Sequence, residues 1–290
     1  MPSNPGLRYT KTSLVCEVSS IIFENPTPVI DVLQRHYPPN QMLNAFADTQ
    51  AFLRLVQRTQ RPLLHYWTLD QTVILGLRDR QLLQLSAGLK SLDQAGWHYF
   101  FRNAGGLGIP SDQGILNISL ILPANYPVTI DQGYQLMTDL LQAGFDSKNI
   151  QLTPGEVATS YCPGTFDLSV GTQKVAGIAQ RRSRGATAIM AYLSVNGDQT
   201  QRGELMRSFY QRSEGHPPRF PAVDPQVMTT LADFIPELQV HEAIQMTQQG
   251  INKQGTELDR LSFADLIAGS EYQNYFSQSL QSLIELNQPI

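Results

Sequence analysis

The chain has 290 residues with 21 Lys+Arg against 25 Asp+Glu, a formal net charge of −4. Only 16% are charged, below the roughly 25% of an average soluble domain, and 29 glutamines leave the surface polar but largely uncharged. That balance excludes a disordered acidic chain and a general nucleic-acid binder, and no apolar run approaches the roughly 18–20 residues of a membrane span.

The length suits one large domain or two small ones, with material for a sizeable core. The start, MPSNPGLRYTKTSLV, lacks the basic and apolar regions of a signal peptide. Two cysteines, Cys16 and Cys162, cannot build a disulfide framework. The expectation is a cytoplasmic globular protein kept in reducing conditions.

In chain order, Leu14–Val18 alternates like a strand, and Pro26, Pro28, Pro38 and Pro39 then break regular structure. Met42–Val56 carries apolar residues at helical spacing. Leu63–Trp67 and Val73–Leu77 read as short strands joined by a polar turn at Asp70-Gln71. Gln81–Ala95 suggests a helix stopped by Gly96, and His98–Arg102 a strand. Ile115–Leu122 is an apolar run of strand length closed by Pro123. Ile130–Ala143 suggests a helix, capped by Asp131 at its start and Gly144 at its end. Phe166–Val170 and Lys174–Ala179 flank the hairpin turn Gly171-Thr172-Gln173, and Thr187–Val195 gives another strand, ended by Asn196-Gly197. Beyond Pro225 the pattern turns helical over Val227–Phe234, Val240–Gln249 and Glu257–Leu286. The expected fold class is α+β, a mixed sheet packed with helices, because strands and helices intermix without βαβ alternation. A catalytic core of about 42–222 is followed by a helical C-terminal extension of about 225–290, the whole chain forming one domain.

Most standard catalytic signatures are missing. There is no Walker A sequence, no strand-linked G-x-G-x-x-G and no G-x-S-x-G elbow. The five histidines are scattered, so no metal is expected. Three features remain. Arg102-Asn103-Ala104-Gly105-Gly106-Leu107-Gly108 leads to Asp112-Gln113-Gly114-Ile115-Leu116-Asn117; such glycines either free backbone amides for a ligand or make a tight link between strands. Cys162 sits in Ser160-Tyr161-Cys162-Pro163-Gly164, a turn that suits either an accessible, nucleophilic thiol or the small buried residue that free cysteines usually become. Lys174 stands where a hairpin turn meets its returning strand, and the basic run Arg181, Arg182 and Arg184 follows; solvation or an acidic partner accounts for either.

Taken in order, these motifs resemble the lipoate/biotin protein ligase and octanoyltransferase superfamily. Ser160–Ser169 with Gly177–Arg182 is similar, more specifically, to the cysteine-dependent octanoyl-[glycine-cleavage H protein]:protein N-octanoyltransferases. The resemblance runs from about Trp67 to Tyr210. It implies a catalytic domain of the lipoate/biotin ligase type with an acyl tunnel beside the glycine loop. It implies Cys162 and Lys174 as catalytic residues, and Arg102, Gly105, Gly106, Asp112, Asn117 and Gly177 as substrate-binding residues. Ile74–Leu77 and Ile115–Leu122 either line that tunnel or pack the core. The implied reaction passes octanoyl from a lysine of the glycine-cleavage H protein to Cys162, then to the lysine of a lipoyl domain in a 2-oxoacid dehydrogenase complex. Arg181, Arg182 and Arg184 would dock these acidic partners, with no cofactor, nucleic acid or membrane involved. Two alternatives stand beside it: an ATP-dependent lipoate ligase, which leaves Cys162 without a task, and a non-catalytic lipoyl-domain-binding module. The loop has one glycine fewer than the Gly-Gly-Gly common in lipoate ligases, which weighs against ATP use.

Overall fold

The computed structural model describes residues 29–217, 219–260, 265 and 268–288. The expected strand Leu14–Val18, with Cys16, lies outside the described residues.

Among the described residues, eight strands make the main sheet: β1 (Val29–Tyr37), β2 (Leu63–Leu69), β6 (Ile115–Leu122), β7 (Thr153–Pro154), β8 (Leu168–Val170), β9 (Gln173–Ser183), β10 (Ala186–Ser194) and β11 (Glu257–Arg260). Their order is β11-β1-β2-β6-β10-β9-β8-β7. β1 runs parallel to both β11 and β2, and the remaining pairs are antiparallel. A second sheet has β3 (Thr72–Leu75) between β4 (His98–Phe101) and β5 (Ile109–Ser111). The sheet is mixed and packed with helices, as the intermixed strand and helix signals imply.

Every residue of β6 is buried, which explains a mainly apolar run, interrupted at Asn117 and Ser119, where full alternation would mark a one-sided strand. Leu120 and Leu122 face α3 (Ile130–Phe145) and α5 (Val240–Lys253), while Ile121 faces α1 (Asn44–Thr59) and α6 (Ser270–Leu286). The remaining helices, α2 (Leu85–Gln94) and α4 (Gln199–Arg212), pack on each other beside the small sheet.

Several expectations need correction. The strands either side of Asp70-Gln71 do not pair: β2 joins the large sheet and β3 the small one. The helix expected from Gln81 begins at Leu85, after a 3₁₀ turn at Asp79–Gln81. Thr129, not Asp131, caps α3, through a reciprocal box with Gln132. Gly144 lies inside α3, where a Cβ would stand 2.9 Å from Thr247 Cα of α5; it permits a close helix crossing rather than ending the helix. Val227–Phe234 forms only two 3₁₀ turns, Pro225–Val227 and Leu231–Asp233. Glu257–Arg260 is a strand, not helix. Its polar sequence is tolerated because it is an exposed edge, held by backbone pairing to β1 and by Arg61 Nη2 on Asp259 Oδ2 at 2.9 Å.

Candidate active site

A cavity of about 340 Å³ opens where the two sheets meet, within the roughly 300–1,000 Å³ range of small-ligand sites. One cross-strand row builds much of it. Trp67 of β2 pairs with Asn117 of β6, Asn117 with Tyr192 of β10, and Tyr192 with Gly177 of β9. All four line the cavity. Met190 and Ala179 come from the adjoining row, Ile74 and Ile109 from the small sheet, and Phe46 from α1. Of the two apolar runs considered for a tunnel, Ile74 and Asn117 reach the cavity; the rest of β6 is core. Gly177 matters by what it leaves open, since a Cβ there would make only ordinary contacts, 3.5 Å from Asp167 Oδ1.

The glycine loop forms one side of the mouth. Arg102 is buried, and its guanidinium donates to the carbonyls of Gly105 (3.0 Å) and Leu107 (3.1 Å), so it braces the loop from within. Gly106 adopts φ +88°, and a Cβ there would stand 2.5 Å from Arg102 Nη2 and 3.4 Å from Cys162 Sγ. Glycine is therefore required at this position. Across the mouth Cys162 holds φ +49°, a left-handed conformation that costs a non-glycine residue roughly 1–2 kcal/mol. Its Sγ accepts the Leu107 N–H at 3.3 Å.

Lys174 is buried and densely bonded. Its Nζ lies 3.0 Å from Asp167 Oδ1 and donates to Ser160 Oγ (3.0 Å), the Cys162 carbonyl (3.2 Å) and the Tyr161 carbonyl (3.4 Å). A register shift places it there: Leu168 pairs with Ala176 but Ser169 with Lys174, so β9 carries one extra residue. The bulge turns Lys174 to the side of Gly177, whose Cβ would be 3.7 Å from Nζ. Asp167 Oδ2 accepts the Gly164 N–H at 3.1 Å, tying the cysteine turn to the same ion pair. Burial raises the Asp167 pKa, against the lowering pull of Lys174.

The cavity thus brings together Cys162, Lys174, Arg102, Gly105, Gly106, Asn117 and Gly177. Asp112 stands apart. Its carboxylate takes a bidentate bond from Arg202 of α4, at 2.8 and 2.6 Å, and caps the Gly114 N–H. These bonds anchor the β5–β6 turn, and Asp112 does not line this cavity. The arginine run does not form one patch. Arg181 bends inward, donating to the Asn103 carbonyl (2.6 Å) and Oδ1 (3.0 Å). Arg182 reaches the Val128 carbonyl at 2.7 Å, near the start of α3. Arg184, at φ +52°, and Gly185, at φ +88°, form the two-residue turn between β9 and β10, where Arg184 is exposed. Sequence reasoning gave no role to Asp167, Trp67 or Tyr192. The spacing Gly164-x-x-Asp167 was the one usable local signal; the other two depend on strand register.

A partly buried cysteine whose Sγ accepts a backbone N–H thus stands beside a largely apolar cavity. The same architecture occurs in a crystal structure of lipoate-protein ligase A bound with ATP, which is 17% identical (TM-score 0.67, covering 87% of this chain and 94% of that one). It also occurs in a bipartite lipoate protein ligase from Thermoplasma acidophilum, solved in a study with its E2 lipoyl domain (17% identity, TM-score 0.65, 90% and 96% covered). The fold is that of the lipoate-protein ligases. The chain belongs to the lipoyl protein ligase A/B catalytic domain family, whose model matches residues 41–252. Among its relatives, the octanoyl-[GcvH]:protein N-octanoyltransferase of Exiguobacterium sp. is 36% identical over 234 residues, 78% of this chain and 80% of the relative. That of Geobacillus kaustophilus is 37% identical over 227 residues, 77% and 78% respectively.

Proposed function

We propose that this chain is an octanoyltransferase that moves an octanoyl group from the glycine-cleavage H protein to a lipoyl domain through a thioester on Cys162. The observation that carries the covalent step is the strained backbone of Cys162, which presents Sγ to the Leu107 N–H at the cavity mouth. The relatives' shared name supports the donor, and the ligase studied with its E2 lipoyl domain supports the acceptor class.

In the first step the Cys162 thiolate attacks the carbonyl carbon of octanoyl-lysine. A C–S bond forms, the C–N bond breaks, and the departing amine takes a proton. In the second step the neutral amine of the acceptor lysine attacks the thioester, an amide forms, and the thiol is restored. The sum is amide for amide, so no nucleotide is needed, and the cysteine splits one hard transfer into two. Lys174, fixed by Asp167 beside the Cys162 carbonyl, supplies and recovers the proton. The residue after Cys162 is Pro163, which has no N–H to offer a developing oxyanion. Electrostatic help therefore falls to the glycine loop and Lys174. The apolar cavity takes the C8 chain, and the compartment is cytoplasmic, where a catalytic thiol stays reduced.

The test supplies octanoyl-H protein and an apo lipoyl domain without nucleotide, and follows octanoylation by intact-mass spectrometry. Wild type should label the acceptor, and Cys162→Ala should not. Labelling only when free octanoate, ATP and magnesium are present would establish the ligase reading instead.

A further inference from the structure

Behind the glycine loop, away from the cavity, lies a chain of buried polar contacts that the acyl chemistry does not itself use. The Gly108 N–H donates to the Tyr210 hydroxyl at 3.0 Å, and that hydroxyl donates to Asp79 Oδ1 at 3.1 Å. The second oxygen of Asp79 accepts the Gly76 N–H at 2.8 Å. Gly76 in turn packs so tightly on the loop that a Cβ would stand 2.1 Å from the Gly106 carbonyl oxygen.

These contacts hold the two peptide planes on either side of Leu107. The Leu107–Gly108 plane is bound at both ends, its carbonyl by Arg102 and its N–H by Tyr210. The Gly106–Leu107 plane, which carries the N–H aimed at Cys162, has its carbonyl wedged against Gly76. Asp79 joins both supports, because one carboxylate receives Gly76 and Tyr210. Asp79 is fully buried, and among the described residues it forms no salt bridge; Arg102 and Arg78 act on it at a distance. A buried carboxylate with no ion pair is costly for a purely structural tie.

We propose that Asp79 and Tyr210 are positioning residues that aim the Leu107 N–H at Cys162 Sγ and so stabilise its thiolate. This rests on the assignment of Cys162 as the nucleophile. A hydrogen bond to an ionised acceptor is about twice as strong as a neutral one and depends steeply on geometry. Loosening the loop therefore raises the free energy of the thiolate before substrate arrives.

The test uses full-length Tyr210→Phe and Asp79→Asn, each near-isosteric. Iodoacetamide alkylation of Cys162, resolved from Cys16 by peptide mass spectrometry, is followed across pH with transfer kinetics and thermal melts. Both variants should alkylate at least about threefold more slowly at pH 7, with the rate at high pH unchanged, as expected of a less stabilised thiolate. In octanoyl transfer kcat should fall about tenfold with KM within about twofold, the pattern of an interaction realised in the reacting state. Asp79→Asn should do this without lowering the melting temperature at pH 8. Wild-type alkylation profiles in both variants, or activity lost only in step with the melting temperature, would overturn the proposal. An active Cys162→Ala control would instead remove the nucleophile assignment on which it stands.

Discussion

Lys174 and Asp167 are a buried pair, and each needs the other. Removing one partner of such a pair leaves an uncompensated charge, at about 3–5 kcal/mol. Asp167→Ala should therefore lose stability of that order in urea denaturation. Lys174→Ala should lower transfer roughly 10²–10⁴-fold if Lys174 moves the proton, and Lys174→Arg should not restore it, because a guanidinium does not cycle a proton. Full rescue by arginine would reduce Lys174 to a charge that holds the cysteine turn. Asp79 offers a pH test of a different kind. Burial dominates its environment, ahead of the opposing bonds from Gly76 and Tyr210 and the pull of Arg102 and Arg78, and pushes its pKa from 3.8 to about 6. A raised carboxylate pKa means the folded state binds the proton more tightly than the unfolded one. The associated stability is complete below about pH 4 and is lost as pH rises through about 6. Asp79→Asn cancels that slope. Relative to wild type, its stability should improve by about 2–3 kcal/mol between pH 4 and pH 8, read from denaturant melts at both. A difference that does not change with pH would contradict the assignment.

At the scale of elements, the contact between α3 and α5 depends on two glycines facing each other's backbone. A Cβ on Gly144 would meet Thr247 Cα at 2.9 Å, and one on Gly250 would meet the Ala143 carbonyl carbon at 2.6 Å. Neither obstacle is a flexible side-chain end, so the helices must separate. Gly144→Ala should be destabilising despite the better helix propensity of alanine, by the roughly 1–3 kcal/mol typical of overpacking. Unchanged or raised thermal stability would show that α5 slides freely on α3. The same helix shows the reach of sequence reading. Its apolar spacing was legible, and so was its cap, because Thr129-x-x-Gln132 is a capping-box pattern that the expectation at Asp131 overlooked. Gly144 read as a terminator for want of any sign that another helix crosses there.

At the scale of the whole molecule, the proposed substrates are proteins, and a part for charge in their arrival is open to direct test. Arg182 and Arg184 are the exposed members of the basic run, whereas Arg181 is bound inside the wall to Asn103. If the run docks an acidic carrier domain, Arg184→Glu should raise the apparent KM for protein substrates, and added salt should erase much of the difference from wild type. Arg181→Ala should instead perturb the glycine loop and lower kcat. A KM for Arg184→Glu equal to that of wild type at every ionic strength would dismiss a docking role.

Local physics settled much of this protein before any tertiary contact formed. Apolar periodicity marked α1, β6, β10 and most of α3, because burial on one or two faces leaves its period in the chain. Turn chemistry located the β8–β9 hairpin and the glycine loop. The motifs that hold Cys162 and Lys174 were also legible, and the fold brings both residues to one cavity. Long-range pairing decided the rest. β2 and β3 are separated by two residues yet belong to different sheets, and that divergence opens the cavity. Glu257–Arg260 became a strand only because β1 offered an unpaired edge. The bulge that turns Lys174 toward the cysteine turn is a one-residue slip in register, without any local signature in composition. Asp112 looked free for a ligand until α4 brought Arg202 against it. In each case the deciding partner lies far along the chain, and backbone hydrogen bonds or a buried charge, not local preference, made the choice.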